Sequence, residues 1–146
     1  MMKYLIAFFL LSIQVSYVAA NNYDIYKLCN QSYSEDYKKS RKLEDLTSKK
    51  MAKFYDAIGA KDSRGLASPN IGLAIEILKD IEKSKDSLKS YDRSILWNSW
   101  AYIYFVEKNW ESAIYMYDKV ISEDEVTLPV RNAAIKTCNL IKKLLE

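Results

Sequence analysis

Residues 91–122, YDRSILWNSWAYIYFVEKNWESAIYMYDKVIS, decide the fold. Apolar residues recur there at intervals of three and four in two separate sets, which is the period of an amphipathic helix. The first set is Trp97, Trp100, Ala101 and Tyr104, and the second is Ala113, Tyr117 and Val120. Polar residues 107–109 interrupt the pattern. Two helices with so short a connection are expected to lie antiparallel.

The same pattern extends to both sides of this pair. Apolar periodicity predicts one helix over residues 41–58 and a second over residues 69–85, with a charged loop between them. The run NIGLAIEILKDI resembles NWESAIYMYDKV in the second central helix, with Ala74 at the place of Ala113 and Leu78 at that of Tyr117. The chain therefore contains a second, more divergent copy of the hairpin.

Helix ends are predicted from capping residues. Ser68 is expected to cap the helix that Pro69 opens, because proline at the first helical position loses no hydrogen bond. Asp92 is expected to cap the first central helix through its carboxylate. The acidic turn at residues 123–125 predicts a helix end by Ser122, since carboxylates oppose the dipole at a C-terminus. Thr127 is expected to cap a last helix.

The composition limits the fold class and the functions that the chain can have. The chain has 146 residues, is 49% hydrophobic, and contains three glycines and two prolines, which favours one all-α domain. Its net charge of +3 comes from residues of mixed sign, so a nucleic-acid partner is not expected. It has no histidine and none of the common catalytic or phosphate-binding motifs. We therefore expect no enzyme activity, no cofactor and no metal.

The N-terminal region has the features of a targeting segment. Residues 1–20 combine Lys3, an apolar run over residues 5–13 and small residues up to Ala20, which predicts a signal peptide cleaved after Ala20. Retention as an anchor is the alternative. Residues 21–40 form a polar, tyrosine-rich arm, and residues 41–146 form the helical domain. We expect a periplasmic or secreted protein, with at most peripheral membrane contact.

The central spacing resembles the tetratricopeptide repeat (TPR), a helical hairpin of about 34 residues. The resemblance places small residues at Ala101 and Ala113, where two helices cross closely, and larger ones around them. The packing positions are Trp97, Trp100, Ala101, Tyr104, Ala113, Tyr117 and Val120. The implied fold is all-α, with antiparallel helical hairpins stacked as a short TPR-like α-solenoid and a C-terminal capping helix.

A narrower resemblance covers about residues 48–145. The signal peptide, the run YDRSILWNSWAYIYFVEKNWESAIYMYDKVI and the following LPVRNAAIKTCNLI look like the periplasmic TPR proteins associated with the TonB-ExbB-ExbD systems of Gram-negative bacteria. The resemblance implies a scaffold that acts by protein contact, as an accessory of TonB-dependent uptake. Two alternatives remain: an adaptor for envelope or secretion machinery, and a small-ligand binder with an aromatic groove.

The TPR resemblance also implies a partner-binding groove on the first helix of the central hairpin. Its concave-face positions fall on Ile95, Asn98, Tyr102 and Phe105. Their spacing of three, four and three puts them on one stripe of a helix. An alternative is that another helix or the tyrosine-rich arm covers this stripe, which would make it part of the core.

The two cysteines leave one question open. A disulfide between Cys29 in the arm and Cys138 in the last helix would tie the two ends of the mature chain together. Closing so long a loop would stabilise the fold by about 4–5 kcal/mol in the chain-entropy model. Two separate thiols, with Cys138 as a core residue, are the alternative. Titration of thiols in the unreduced, denatured protein distinguishes the two.

Overall fold

The computed structural model describes residues 42–146. Five α-helices follow one another in this part of the chain: α1 (Asp45–Ile58), α2 (Ile71–Glu82), α3 (Ser90–Val106), α4 (Trp110–Ser122) and α5 (Leu128–Leu145). A short 3-10 helix, Lys85–Ser87, separates α2 from α3. These residues form no strand, and the predicted all-helical class is confirmed. The expected signal peptide and tyrosine-rich arm lie outside the described residues.

The helices stack in sequence order. α1 packs on α2, α2 on α3, α3 on α4, and α4 on α5. All five contribute side chains to one hydrophobic core. Fully buried alanines lie in four of the helices, at Ala74, Ala101, Ala113 and Ala134. Small residues at such sites let neighbouring backbones approach, while larger side chains fill the space around them.

α3 lies between α2 and α4 and is covered on most of its circumference. Even its short polar side chains at Ser94 and Ser99 are buried. Both are satisfied within the helix: Ser94 Oγ donates to the Tyr91 carbonyl at 2.6 Å, and Ser99 Oγ donates to the Ile95 carbonyl at 2.9 Å. A buried hydroxyl without such a partner would be destabilising. The polar residues of α3 are therefore compatible with its central position.

α2 and α4 begin in the same way. The Asn70 side chain accepts a hydrogen bond from the Leu73 N–H at 3.0 Å, and the Asn109 side chain accepts one from the Ser112 N–H at 3.2 Å. Each asparagine satisfies a free donor in the first turn of its helix. The buried alanine follows four residues later in both helices, at Ala74 and Ala113. The similarity seen between the two sequences is thus a similarity of structure.

The predicted start of α2 is wrong. Asn70, rather than Ser68, is the cap, and the helix begins at Ile71 after Pro69. The Ser68 N–H donates to the Ala60 carbonyl and the Asn70 N–H donates to the Ala57 carbonyl, both at 2.8 Å. These bonds hold the segment against the end of α1, so the helix starts only after them.

Asp92 is not the cap of α3 either. The cap position is Lys89, whose side chain makes no capping bond, and Asp92 lies buried in the first turn. Its carboxylate instead accepts a hydrogen bond from the Glu44 N–H, just before α1, at 3.3 Å. The Asp92 carboxylate thus binds the residue that precedes α1.

The connection between α3 and α4 lies where it was predicted. α3 ends at Val106 and α4 begins at Trp110. Lys108 adopts a positive φ of 60°, the left-handed conformation that often closes a helix. The Asn109 N–H then donates to the Tyr104 carbonyl at 2.9 Å. The end of α4 at Ser122 is likewise confirmed, as is the cap position of Thr127 before α5, although its side chain makes no capping bond.

Within residues 42–146, no helix has both the length and the apolar character needed to span a bilayer.

We predict that Ala113→Leu destabilises the protein by about 1–3 kcal/mol, because extra atoms at a fully buried helix contact force the helices apart. Thermal unfolding followed by circular dichroism measures the effect. Ala52→Leu is the matched control, because Ala52 is an exposed residue of α1. Equal melting temperatures for Ala113→Leu and the wild type would contradict close packing at this position.

Candidate binding surface

The four predicted groove residues lie on one face of α3 but differ in exposure. Ile95 is buried in the hydrophobic core, and Asn98 and Phe105 are half-buried. Tyr102 is 36% exposed. The face is therefore buried at Ile95, most exposed at Tyr102 and half-buried again at Phe105. We call Asn98, Tyr102 and Phe105 the α3 stripe.

One member of the α3 stripe is held by a second aromatic ring. Phe105 packs edge-to-face on Trp110, the first residue of α4, with ring centroids 5.4 Å apart. Such pairs contribute about 0.5–1.5 kcal/mol beyond the burial of their surface. The Phe105 ring is therefore fixed in position, while Tyr102 extends toward solvent.

The predicted packing residues lie in the core or at its edge. Ala101 and Ala113 are fully buried, and Trp97, Trp100, Tyr117 and Val120 are buried as well. Tyr104 is half-buried and stacks on Trp100, with ring centroids 5.7 Å apart and planes inclined by 22°. Burial raises the pKa of Tyr104, and the nearby carboxylates of Glu82 and Glu107 raise it further. None of these seven positions is a freely exposed side chain.

A polar cluster that the sequence did not predict lies beside the start of α3. Glu123, in the turn after α4, accepts hydrogen bonds from Arg93 Nε at 2.9 Å and Arg93 Nη2 at 3.0 Å. It also accepts from Ser90 Oγ at 2.7 Å and from Trp97 Nε1 at 3.2 Å. We call these four residues the Glu123 cluster. Four donor atoms converge on one carboxylate, and all of them belong to three residues in the N-terminal half of α3.

The electrostatics of the Glu123 cluster follow from this geometry. Burial alone would raise the pKa of the Glu123 carboxyl, but the hydrogen bonds from Arg93, Ser90 and Trp97 outweigh it and lower that pKa below its ordinary value. The same carboxylate raises the pKa of Arg93. Both groups are therefore charged at neutral pH. A bidentate pair of this kind is among the stronger hydrogen-bonded contacts in proteins.

The Glu123 cluster joins three segments of the chain. Arg93 Nη1 donates to the Leu88 carbonyl at 2.6 Å, which connects the segment before α3. Arg131 Nη2 donates to the Glu123 carbonyl at 2.7 Å, which connects the first turn of α5. The Glu125 N–H donates to Ser90 Oγ at 3.2 Å. The starts of α3 and α5 and the end of α4 are thus held together.

α1 reaches the same end of the stack through Glu44. The Glu44 carboxylate pairs with Lys89 Nζ at 2.6 Å, beside the bond from its N–H to Asp92. The N-terminal ends of α1 and α3 are therefore adjacent. Together with the Arg131 contact, this places the starts of α1, α3 and α5 along one end of the molecule.

The sequence predicted only an acidic turn at residues 123–125 and no role for Arg93. The charges alone do not identify Glu123 as the partner of Arg93, because the two residues lie 30 positions apart and other acidic residues are closer in the sequence. The sequence feature that indicates this pair is the position of Arg93 in the first turn of α3, because an antiparallel α4 must end beside that turn.

Lys119 on α4 lies against aromatic rings. Its Nζ lies 4.3 Å from the ring centroid of Trp97 and 4.8 Å from that of Tyr115. Trp97 thus contacts Glu123 through its N–H and Lys119 through its face. Tyr115, 58% exposed, provides an aromatic surface on α4 that is separate from the α3 stripe.

The described residues contain no group of histidine, cysteine, aspartate or glutamate side chains arranged to hold a metal ion. Cys138 is fully buried in the face of α5 that packs on α4. Cys29 lies outside the described residues, so the proposed disulfide stays a prediction.

No family model, curated protein or solved structure matches this chain.

We predict that Glu123→Gln lowers the free energy of unfolding by about 2–3 kcal/mol at pH 7, because it removes the charge from a largely buried, multiply hydrogen-bonded carboxylate. Urea unfolding of the wild type and the variant measures the difference. Asp124→Asn is the control, because Asp124 is the exposed next residue in the same turn.

The loss of stability caused by Glu123→Gln depends on pH. Because the folded-state pKa of Glu123 is lowered, the contribution of its carboxylate to the free energy of unfolding is fully present above the unfolded pKa of about 4.3. That contribution is lost as the pH falls through the folded-state pKa. The difference between wild type and Glu123→Gln should therefore be largest near pH 7 and shrink toward pH 3. A difference that does not change with pH would rule out the charge as its origin.

Proposed function

We propose that this chain is a non-catalytic protein-interaction scaffold of the periplasm or the extracellular space, which binds its partner through the α3 stripe. The observation that carries the proposal is the exposure of Tyr102, which is 36% exposed while every other residue of α3 before Val106 is buried or half-buried. Aromatic side chains with access to solvent provide large contact area at low cost in rotamer entropy, and they are enriched at binding hot spots.

The chemistry of the stripe suits a polypeptide partner. Asn98 is half-buried and carries an amide that can both donate to and accept from a peptide backbone. Tyr102 and Phe105 lie one and two turns further along the same face and offer apolar surface. An amide beside two aromatic rings fits a peptide or helix better than a strongly charged ligand.

The rigidity of α3 supports the same conclusion. α3 is packed between α2 and α4, its first turns are held by the Glu123 cluster, and Phe105 is fixed against Trp110. A surface that is ordered before binding loses less entropy when the partner binds. The stripe is therefore preorganised along the part of α3 that carries Asn98 and Tyr102.

We further propose that the helices form a short TPR-like solenoid. Two observations support it: α2 and α4 share the asparagine cap and the buried alanine four residues later, and the starts of α1, α3 and α5 lie at one end. In such an arrangement alternate helices form one layer, and α3 occupies its centre.

A TonB-ExbB-ExbD system is the client that we propose. Support comes from the resemblance of about residues 48–145 to TPR proteins associated with these systems and from the signal-peptide features of residues 1–20. Export would bring the scaffold to the compartment in which these components present their periplasmic domains.

We predict that Tyr102→Ala and Asn98→Ala each weaken capture of a purified periplasmic domain of TonB or ExbD by about tenfold, or ~1.4 kcal/mol. The mature chain is immobilised and the free TonB or ExbD domain is titrated against it, which gives the affinity. Melting temperatures of the variants should stay within about 2 °C of the wild type, since neither side chain is fully buried.

Tyr115→Ala is the matched control, because it removes a more exposed tyrosine from α4. If Tyr102→Ala does not weaken capture, the α3 stripe is excluded as the binding surface. Failure of the wild type to capture either domain would exclude the TonB assignment. Loss of stability without loss of capture would show that the stripe residues belong to the core.

A further inference from the structure

One flank of α5 carries an apolar stripe beside the face that packs on α4. Leu140 and Leu144 are 49% and 56% exposed, Ala133 is exposed, and Thr137 is half-buried. Their spacing of four, three and four places all of them on one face of the helix. Ala134, Cys138 and Ile141, each one residue further along the chain, form the adjoining buried face. We call Ala133, Thr137, Leu140 and Leu144 the α5 outer face.

Among the described helices, α5 makes its main contacts with α4. Single exposed leucines need no explanation, but two of them on successive turns, in line with Ala133, have the spacing of a surface that receives an amphipathic helix.

Charge indicates what kind of helix fits. The 18 residues of α5, LPVRNAAIKTCNLIKKLL, include no acidic residue. Lys136 and Lys143 are both exposed, follow one edge of the α5 outer face, and form no ion pair within residues 42–146. An apolar stripe bordered by unneutralised lysines is complementary to an apolar stripe bordered by carboxylates.

We propose that the α5 outer face docks an amphipathic helix of another protein, with small or apolar residues along its centre and Asp or Glu beside them. From Ala133 to Leu144 the face is about 17 Å long, or three turns of a partner helix. This site is separate from the α3 stripe and does not depend on the function proposed for that stripe.

The same charges disfavour two other occupants. In a symmetric contact with a second copy, α5 would pack on the α5 of the other copy. All the charged residues of α5 are cationic, and like charges at an interface oppose association. An anionic bilayer is typically bound by clusters of about four to eight basic residues, whereas only Lys136 and Lys143 border this stripe. An amphipathic helix with acidic flanks is complementary to both the leucines and the lysines of this surface.

Fluorescence anisotropy with two labelled peptides tests the proposal on the full mature chain. Both peptides are stapled helices with the same leucine and alanine stripe, and their flanking positions are glutamate in one and lysine in the other. The acidic peptide should bind at least tenfold more tightly at low salt. This preference should shrink as salt rises, because exposed charges are screened.

Three variants localise the binding. Leu140→Ser combined with Leu144→Ser should abolish binding of the acidic peptide. Lys136→Glu combined with Lys143→Glu should reverse the preference in favour of the basic peptide. Tyr115→Ala, on the exposed side of α4, should bind as the wild type does. The charge-reversal variant changes only exposed side chains, so it tests the proposal even if the double serine variant folds poorly.

Several results would overturn the proposal. These are no binding of either peptide, equal binding of both, and undiminished binding by a folded double serine variant. Sedimentation equilibrium that shows a dimer lost in the double serine variant would assign the face to a second copy. Co-sedimentation with phosphatidylglycerol vesicles that depends on Leu140 and Leu144 would assign it to lipid.

Discussion

The structure depends on burying α3 on most of its circumference. A helix in that position needs a neighbour on each side, which α2 and α4 provide, and it needs partners for its buried polar side-chain atoms, which all but Trp100 Nε1 have. Ser94 and Ser99 donate within the helix, and Asp92 accepts from the N–H of Glu44. Fully buried alanines on α2, α3 and α4 allow the helices to come close. The order of the stack follows from these requirements.

The Glu123 cluster is the polar counterpart of that packing. Exposed ion pairs such as Lys83–Asp80 and Arg64–Asp62 contribute little to stability, because water screens them and ordering their side chains costs entropy. Glu123 is largely shielded and receives four donors, so its loss leaves several groups without partners. Of the charged contacts described, this one has the greatest influence on how α3, α4 and α5 are arranged.

The two surfaces for which we propose partners differ in chemistry. The α3 stripe joins an amide to two aromatic rings on a helix held from both sides. The α5 outer face joins exposed leucines to lysines on a helix held from one side. A scaffold with two unlike surfaces can hold two partners at once, and each can be removed by substitutions that leave the other intact. Their separate chemistry makes the two proposals independent.

The sequence by itself determined the helices and the small residues between them, because both depend on local periodicity. Trp97, Trp100, Ala101 and Ala113 repeat every three or four positions, and the turn at Glu107–Asn109 breaks that repeat. Only the tertiary structure decided how far each predicted groove residue is exposed, that Asn70 rather than Ser68 caps α2, and which partners Asp92 and Glu123 have. Exposure and pairing depend on which helix lies opposite, and residues as distant in sequence as Arg93 and Glu123 meet only when α4 folds back along α3.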